Sequence, residues 1–249
     1  MATASVAVAQ PAPSAPPKLT GVRVPIEAAA DALGMVRGIG GRTGNKAIVA
    51  MRYTANGSMT DAAGKTWQVK SLVSDVAHYV PASRLDWQLV GPDGAAQRRI
   101  EVVNGQIAWN ETTPGVGAEP APAEARRQAI WLTPHAVIWA AIDNADKVTM
   151  SKEGAKTVLT IPSPADGSPI RATLNEKNLP EKVEGTVGGR PLEVLYSDFR
   201  DPETYRVALP YRVVHRSGGQ TVLDLKVTDA HTNPYVVFPI PASLKPAPK

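Results

Sequence analysis

Alternation of apolar and polar residues is the dominant pattern in this chain. It is clearest in residues 84–90, where Leu85, Trp87 and Leu89 are each separated by one polar residue. Residues 220–229 alternate in the same way. Because successive side chains of a β-strand point to opposite faces, this pattern predicts strands with one buried and one solvated face, as in antiparallel sheets.

The same criteria predict strands along most of the chain. Those before residue 113 are 46–54, 66–73, 75–80, 84–90, 97–103 and 106–110. Those after residue 145 are 146–151, 156–161, 169–175, 181–187, 191–198, 210–216 and 220–229. Asn104-Gly105, Gly188-Gly189 and Gly218-Gly219 suit the tight turns of hairpins. We predict about eleven or twelve strands in all.

A helical period replaces the alternation in two places. Residues 26–36 fit a short amphipathic helix after Pro25. In the middle of the chain, residues 124–132 predict one helix, and Thr133-Pro134 starts a second that runs to about Ile142, because an N-cap residue followed by proline is typical of a helix start. This second helix is almost entirely apolar, so it must be covered or must cover something else. Residues 113–124 predict a linker or long loop.

Strands and helices do not alternate along the chain, which argues against a parallel α/β sheet. We predict a mainly β fold: a curved antiparallel sheet, an incomplete barrel of about 11 strands, with an N-terminal helix and the central helix pair as a lid. Two sheets packed on one another are the alternative. The predicted domains are a tail over 1–20, one β-rich domain over 21–242 and a Pro-rich tail over 243–249.

The N-terminal residues predict export. Residues 2–9 are small and apolar, and Ala7-Val8-Ala9 resembles the end of a signal peptide. Residues 11–17 then fit a Pro-rich tether. An ordinary disordered tail is the alternative interpretation. We expect a periplasmic or secreted protein, and the absence of cysteine excludes disulfides, thiolate metal sites and a cysteine nucleophile.

The charge pattern argues against nucleic acid as a partner. The net charge is +4, and its only basic doublets are Arg98-Arg99 and Arg126-Arg127. Nucleic-acid-binding proteins concentrate basic residues on one face and interleave them with aromatic residues. This chain has no such run, so we interpret the charge as a mildly basic solvated surface.

The order of elements resembles the LolA/LolB-like fold of bacterial envelope proteins, in which helices lid an incomplete antiparallel barrel whose cavity holds acyl chains. A second, local resemblance lies in RRQAIWLTPHAVIWAA (126–141), LNEKNLPEKVEG (174–185), LEVLYSDFRD (192–201) and residues 209–234. These segments resemble a β-rich region that precedes metallo-β-lactamase-type domains in exported proteobacterial proteins. The zinc-binding H-x-H-x-D-H motif of those domains is absent.

The first resemblance implies a non-catalytic envelope binding protein that holds a lipid or other apolar ligand, with residues 131–142 as a movable lid. We expect a monomer with peripheral contact to a membrane or an envelope protein. Large apolar side chains on the strands and on the helix pair are the candidate ligand-binding residues: Trp67, Trp87, Trp109, Trp131, Ile138 and Trp139. A solid core built from the same residues is the alternative.

An enzyme on the same scaffold, or an accessory domain of an envelope hydrolase, is the second hypothesis. His135, Asp198 and His215 are the first residues to test for it. The four histidines lie far apart, without the spacing of metal ligands, and G-x-S-x-G is absent. We therefore assign no catalytic residue, metal or cofactor. A structural or partner-binding domain is the third hypothesis.

Overall fold

The structure, a computed structural model, describes residues 20–36 and 47–245. The first half of the described chain contains α1 (Arg23–Ala32), β1 (Ala50–Thr60), β2 (Thr66–Ala77), β3 (Ala82–Val90), β4 (Ala96–Asn104), β5 (Ile107–Glu111), β6 (Glu119–Ala121), α2 (Glu124–Ile130) and α3 (Pro134–Asp143). The second half contains β7 (Thr149–Glu153), β8 (Lys156–Pro162), β9 (Pro169–Leu174), β10 (Pro180–Val187), β11 (Arg190–Arg200), β12 (Leu209–Ser217) and β13 (Gln220–Thr232), followed by a 3₁₀ turn (Ala242–Leu244).

The thirteen strands of the described residues belong to one antiparallel sheet, in the order β6-β5-β4-β3-β2-β1-β13-β12-β11-β10-β9-β8-β7. Strands that follow one another in sequence are paired, except β6 and β7, and β1 also pairs with β13 in the middle of the sheet. The sheet is curved and does not close. Its edges are β6 and β7, and α2 and α3 connect them. Because α2 contacts β3 and β4 as well as β10, the sheet curves around the helices.

The predicted mainly β fold with a curved antiparallel sheet is confirmed. The strand count is higher than predicted, partly because short β6 lies inside the predicted loop 113–124. The predicted strands 66–73 and 75–80 are a single strand, β2. The register of β2 against β3 shifts between Val69 and Ser71, so a bulge at Lys70 interrupts the alternation.

The N-terminal helix begins earlier than predicted, at Arg23, and ends before Gly34. Gly34 has φ +77, and a Cβ there would lie 2.4 Å from the carbonyl oxygen of Arg206. Only glycine suits this left-handed, closely packed position, which ends the helix. The predicted break at 38–45 and the predicted signal-peptide remnant lie outside the described residues, as do residues 246–249.

The main core lies between the helices and the concave face, meaning the side of the sheet on which the helices lie. Helix α3 is buried from Pro134 to Ala141 because α1 covers one side of it and the sheet lies on the other. A smaller cluster on the opposite face joins Ile100, Val102 and Trp109 to the segment that follows β13. No helix among the described residues is both long enough and apolar enough to cross a bilayer.

Asn233 fastens the end of β13 to the segment that starts β1. Its Oδ1 accepts hydrogen bonds from the backbone N–H groups of Val49 at 2.8 Å and Ala50 at 3.3 Å. Its Nδ2 donates to the carbonyl of Ala47 at 2.9 Å. The backbone of Asn233 has φ +48, a left-handed conformation that asparagine tolerates.

Replacing Asn233 by glycine is expected to lower the free energy of unfolding by about 2–3 kcal/mol, because three hydrogen bonds are lost while the left-handed backbone stays permitted. Urea denaturation followed by circular dichroism measures this. Asn233→Asp keeps both accepting contacts and should cost less than the glycine variant. A glycine variant as stable as the wild type would show that the three hydrogen bonds of the Asn233 side chain do not contribute to stability.

Candidate ligand-binding cavity

A cavity of about 390 Å³ lies between the concave face and the segment formed by α2 and its link to α3. Apolar side chains dominate its lining: Met51, Val76, Leu85, Pro122, Ala125, Ala129, Ile130, Leu132, Pro134, Val187, Leu192, Val194, Leu209, Pro210, Val213, Val227 and Ala230. Its polar lining residues include Tyr53, Ser74, Ser83, Glu101, Arg126, Thr133, Tyr196 and His215.

Strand register explains how one half of this wall is assembled. Residues directly opposite one another on paired strands share a face. Tyr53 on β1 lies opposite Ser74 on β2, which lies opposite Leu85 on β3 and, through it, Glu101 on β4. This row of four side chains therefore crosses the cavity wall from the centre of the sheet to its polar end.

The roof of the cavity is α2 together with the link to α3. Ala125 and Ala129 present small side chains to the cavity, and Ala129 is exposed at its mouth. The link is held down by Tyr196 on β11, whose hydroxyl donates to the carbonyl of Leu132 at 2.9 Å. Burial raises the pKa of Tyr196 well above its usual value, so the hydroxyl keeps its proton for this bond.

Below the link, β10 makes room for a leucine. A Cβ added at Gly185 would lie 2.8 Å from the Cδ2 atom of Leu132, so glycine permits this close approach. The predicted helix start at Thr133-Pro134 is where α3 begins. The Thr133 hydroxyl, however, donates to the carbonyl of Ile130 at 3.0 Å instead of capping the helix.

Three charged side chains form the polar end of the cavity. Glu101 and Arg126 line the cavity, and Arg99 lies next to Glu101 outside the lining. The Nη1 atom of Arg126 donates to the carbonyls of Val102 at 3.0 Å and Trp109 at 2.7 Å. The Glu101 carboxylate lies 3.3 Å from Arg99 Nε and 4.0 Å from Arg126 Nη2. Burial lowers the pKa of Arg126, although arginine stays charged at any physiological pH.

His215 lines the cavity from β12, and it is the member of the proposed enzyme set that does so. Burial lowers its pKa to about 4, so it is neutral at pH 7. His135 is fully buried in α3, with Nε2 3.3 Å from the carbonyl oxygen of Leu33. Asp198 is exposed and forms a bidentate ion pair with Arg200. The structure therefore does not bring His135, Asp198 and His215 together.

The other histidines also occupy separate places. His78 is buried near α3, with its ring centroid 6.2 Å from that of Trp139. His231 is at the surface, between Asp229 at 2.9 Å and Glu203 at 3.2 Å. The hydrogen bond to Glu203 and the charge of Asp229 raise the pKa of His231. Among the described residues, no group of three or more His, Asp and Glu side chains suits a metal ion.

The three strand tryptophans lie outside the cavity lining. Trp67 donates its indole N–H to Asp61 at 2.9 Å and packs against the main core. Trp87 is buried, and its indole N–H is 3.3 Å from Oε2 of Glu101, so it braces the polar end from outside. Trp109 is on the opposite face of the sheet, where its indole N–H donates to Glu111 at 2.8 Å.

The three helix residues are core residues in this structure. Trp131 and Ile138 are buried in the main cluster, and Trp139 donates its indole N–H to the carbonyl of Ile48 at 2.9 Å. In this region the cavity instead borders residues of α2 and its flanks and the first residue of α3: Pro122, Ala125, Arg126, Ala129, Ile130, Leu132, Thr133 and Pro134. A ligand-binding role for the six candidate residues, from Trp67 to Trp139, stays a prediction.

Comparison with known proteins leaves the family open. Among solved structures, a LolA superfamily protein from Nitrosomonas europaea is 11% identical to this chain, with a TM-score of 0.44 over 85% of this chain and 94% of that one. A likeness of this size does not extend to ligand, partner or location. No protein-family model and no curated protein matches the chain. The resemblance to regions that precede metallo-β-lactamase-type domains stays a prediction.

Proposed function

We propose that the protein is a non-catalytic binding protein that holds one lipid or other apolar small molecule in the cavity beneath α2. The observation that carries the proposal is the cavity itself. Its volume of about 390 Å³ lies within the range of about 300–1,000 Å³ that is usual for small-molecule sites. An apolar ligand gains roughly 25 cal/mol for each Å² of apolar surface that leaves water.

The placement of the polar residues supports binding over catalysis. Tyr196 and Arg126 use their donors to hold the roof to the sheet. His215, Asp198 and His135 lie in three different environments, so they do not form a catalytic set. Residence in the bacterial envelope and a monomeric state belong to the proposal as well, on the pattern of residues 2–9 and on the resemblance of element order.

A plug at the cavity mouth tests the proposal. N-phenylnaphthylamine, an uncharged fluorescent probe, is expected to bind the wild type saturably with one site per chain. Ala129→Trp places a large side chain at the mouth, where exposure permits it, and should weaken probe binding at least tenfold. Ala96→Trp adds the same side chain at an exposed position on β4 that does not line the cavity, and should leave binding unchanged.

Two results would contradict the proposal. One is the absence of saturable probe binding by the wild type. The other is equal probe affinity of Ala129→Trp and Ala96→Trp with both variants folded. Native mass spectrometry of protein purified from an envelope fraction complements the titration, because a bound mass of lipid size would identify the class of the natural ligand.

A further inference from the structure

The polar end of the cavity has an excess of positive charge. The guanidinium groups of Arg99 and Arg126 stand against the single carboxylate of Glu101. The other groups within hydrogen-bonding distance of Arg126 are neutral: two backbone carbonyls and Oδ1 of Asn110, at 2.5 Å from Nη2. Neutral acceptors satisfy donors without cancelling their charge, so the cluster keeps one net positive charge beside an apolar cavity.

This charge is partly withdrawn from water. The side chains of Arg126, Glu101 and Arg99 are 19%, 25% and 36% exposed. Burial lowers the pKa of Arg126; the charge of Glu101 offsets part of this shift, and the charge of Arg99 adds to it. An anion placed at this end of the cavity would relieve both effects, because opposite charges attract more strongly where water is scarce.

We infer that the ligand is an acidic amphiphile, whose anionic head group lies against Arg126 at the polar end and whose tail fills the apolar cavity. The inference rests on the proposed function and names the class of ligand for that site. The Nε–H group of Arg126 is not used in its bonds to Val102, Trp109 and Asn110. A carboxylate can accept a charge-assisted hydrogen bond from such a donor.

The wall fits a tail that starts at this end. Leu85 lies directly opposite Glu101 on the next strand, and the lining continues across the sheet to Val194 and Leu192 on β11. A cationic head group would meet Glu101 only in the company of two guanidinium groups, which repel it. An uncharged head group would leave the excess charge as it is.

Three ligands with the same alkyl chain test the inference: dodecanoate, dodecanol and dodecylammonium. Each is titrated against bound N-phenylnaphthylamine at pH 7.5 and low ionic strength, below its critical micelle concentration or, for dodecanol, below its solubility limit. Dodecanoate is expected to displace the probe at a concentration at least tenfold lower than dodecanol, and dodecylammonium should be the weakest. Equal affinity of the acid and the alcohol overturns the inference and leaves the proposed function standing.

Failure of all three ligands and of the probe overturns the proposed function instead, so the two failures are distinguishable. For each variant, the quantity measured is the ratio of dodecanoate affinity to dodecanol affinity. A residue that only stabilises the fold would not change this ratio. Glu101→Gln removes the only carboxylate of the cluster and should raise that ratio severalfold. Arg126→Gln should lower it about tenfold.

Arg126 also fastens α2, so its variant can lose stability. Arg99→Gln removes one positive charge without touching the bonds of Arg126, and it should lower the ratio as well. Dodecanol affinity within twofold of the wild type shows that each variant keeps its cavity. Unchanged ratios in both Glu101→Gln and Arg99→Gln would overturn the inference.

Discussion

The substitution Gly57→Ala is expected to lower the free energy of unfolding by at least 3 kcal/mol, the largest effect of any single methyl addition that we predict here. A Cβ at this position would lie 1.9 Å from the carbonyl oxygen of Asp224 on β13. The backbone of Gly57 has φ +155, which side chains rarely adopt. Relief of the clash requires β1 and β13 to separate locally, because the obstructing atom belongs to the backbone.

Equilibrium denaturation in urea, followed by circular dichroism, measures the effect. Gly94→Ala is the matched control, because Gly94 also has a positive φ, +81, but a Cβ there meets nothing within 4 Å. It should cost only about 1–2 kcal/mol, the strain of a left-handed residue. Equal midpoints for the two variants would show that the close approach of β1 and β13 at Gly57 does not limit stability.

Acidification from pH 7.5 to 5.5 is expected to remove about 4 kcal/mol of stability through three histidines that are buried in their neutral form. His231, whose pKa is raised, titrates with the opposite sign and offsets part of this loss. Burial lowers the pKa of His78 to about 3, and those of His135 and His215 to about 4. The unfolded chain binds these protons near pH 6.5, while the folded chain does not. Stability therefore falls as the pH drops below 6.5, by about 1.4 kcal/mol per group and pH unit.

The contribution of the three histidines should level off near pH 3–4, where the folded protein also takes up these protons. Urea denaturation at a series of pH values gives the slope. His78→Phe keeps a ring beside Trp139 and removes one titrating group, so it should reduce the loss between pH 6.5 and 5.5 by about 1 kcal/mol, a third of the contribution of the three histidines. An unchanged slope in this variant would show that His78 takes up its proton at the same pH in the folded and the unfolded chain.

Alternation alone predicts most of the sheet, and its failures have local physical causes. The bulge at Lys70 adds one residue, so Trp67 and Leu72 share a face although their spacing is odd. The three residues of β6 are too few for a period to be visible, and Pro120 argues against a strand there. An edge position tolerates proline because one side of the strand is unpaired.

The site was harder to predict than the fold, because apolar character does not distinguish a cavity wall from a core. Trp139 and Ile138 are core residues only because α1 covers α3, and that contact is not visible in local sequence. Glu101 did leave a signal in the sequence. It is a charged residue two positions before buried Val103 on β4, so both side chains point to the concave face. A charge at an inward position of a strand is a candidate ligand contact.

The pairing of β1 with β13 has a consequence for the order of folding. Every other strand pair joins neighbours in sequence, so β1–β6 and β7–β13 can each form as a local meander. The pairing of β1 with β13 closes the longest loop of the chain, and its entropy cost places it late. Until then β1 and β13 are open edges, in addition to β6 and β7. The surfaces that complete the sheet are thus those through which two partly folded chains would associate at high concentration.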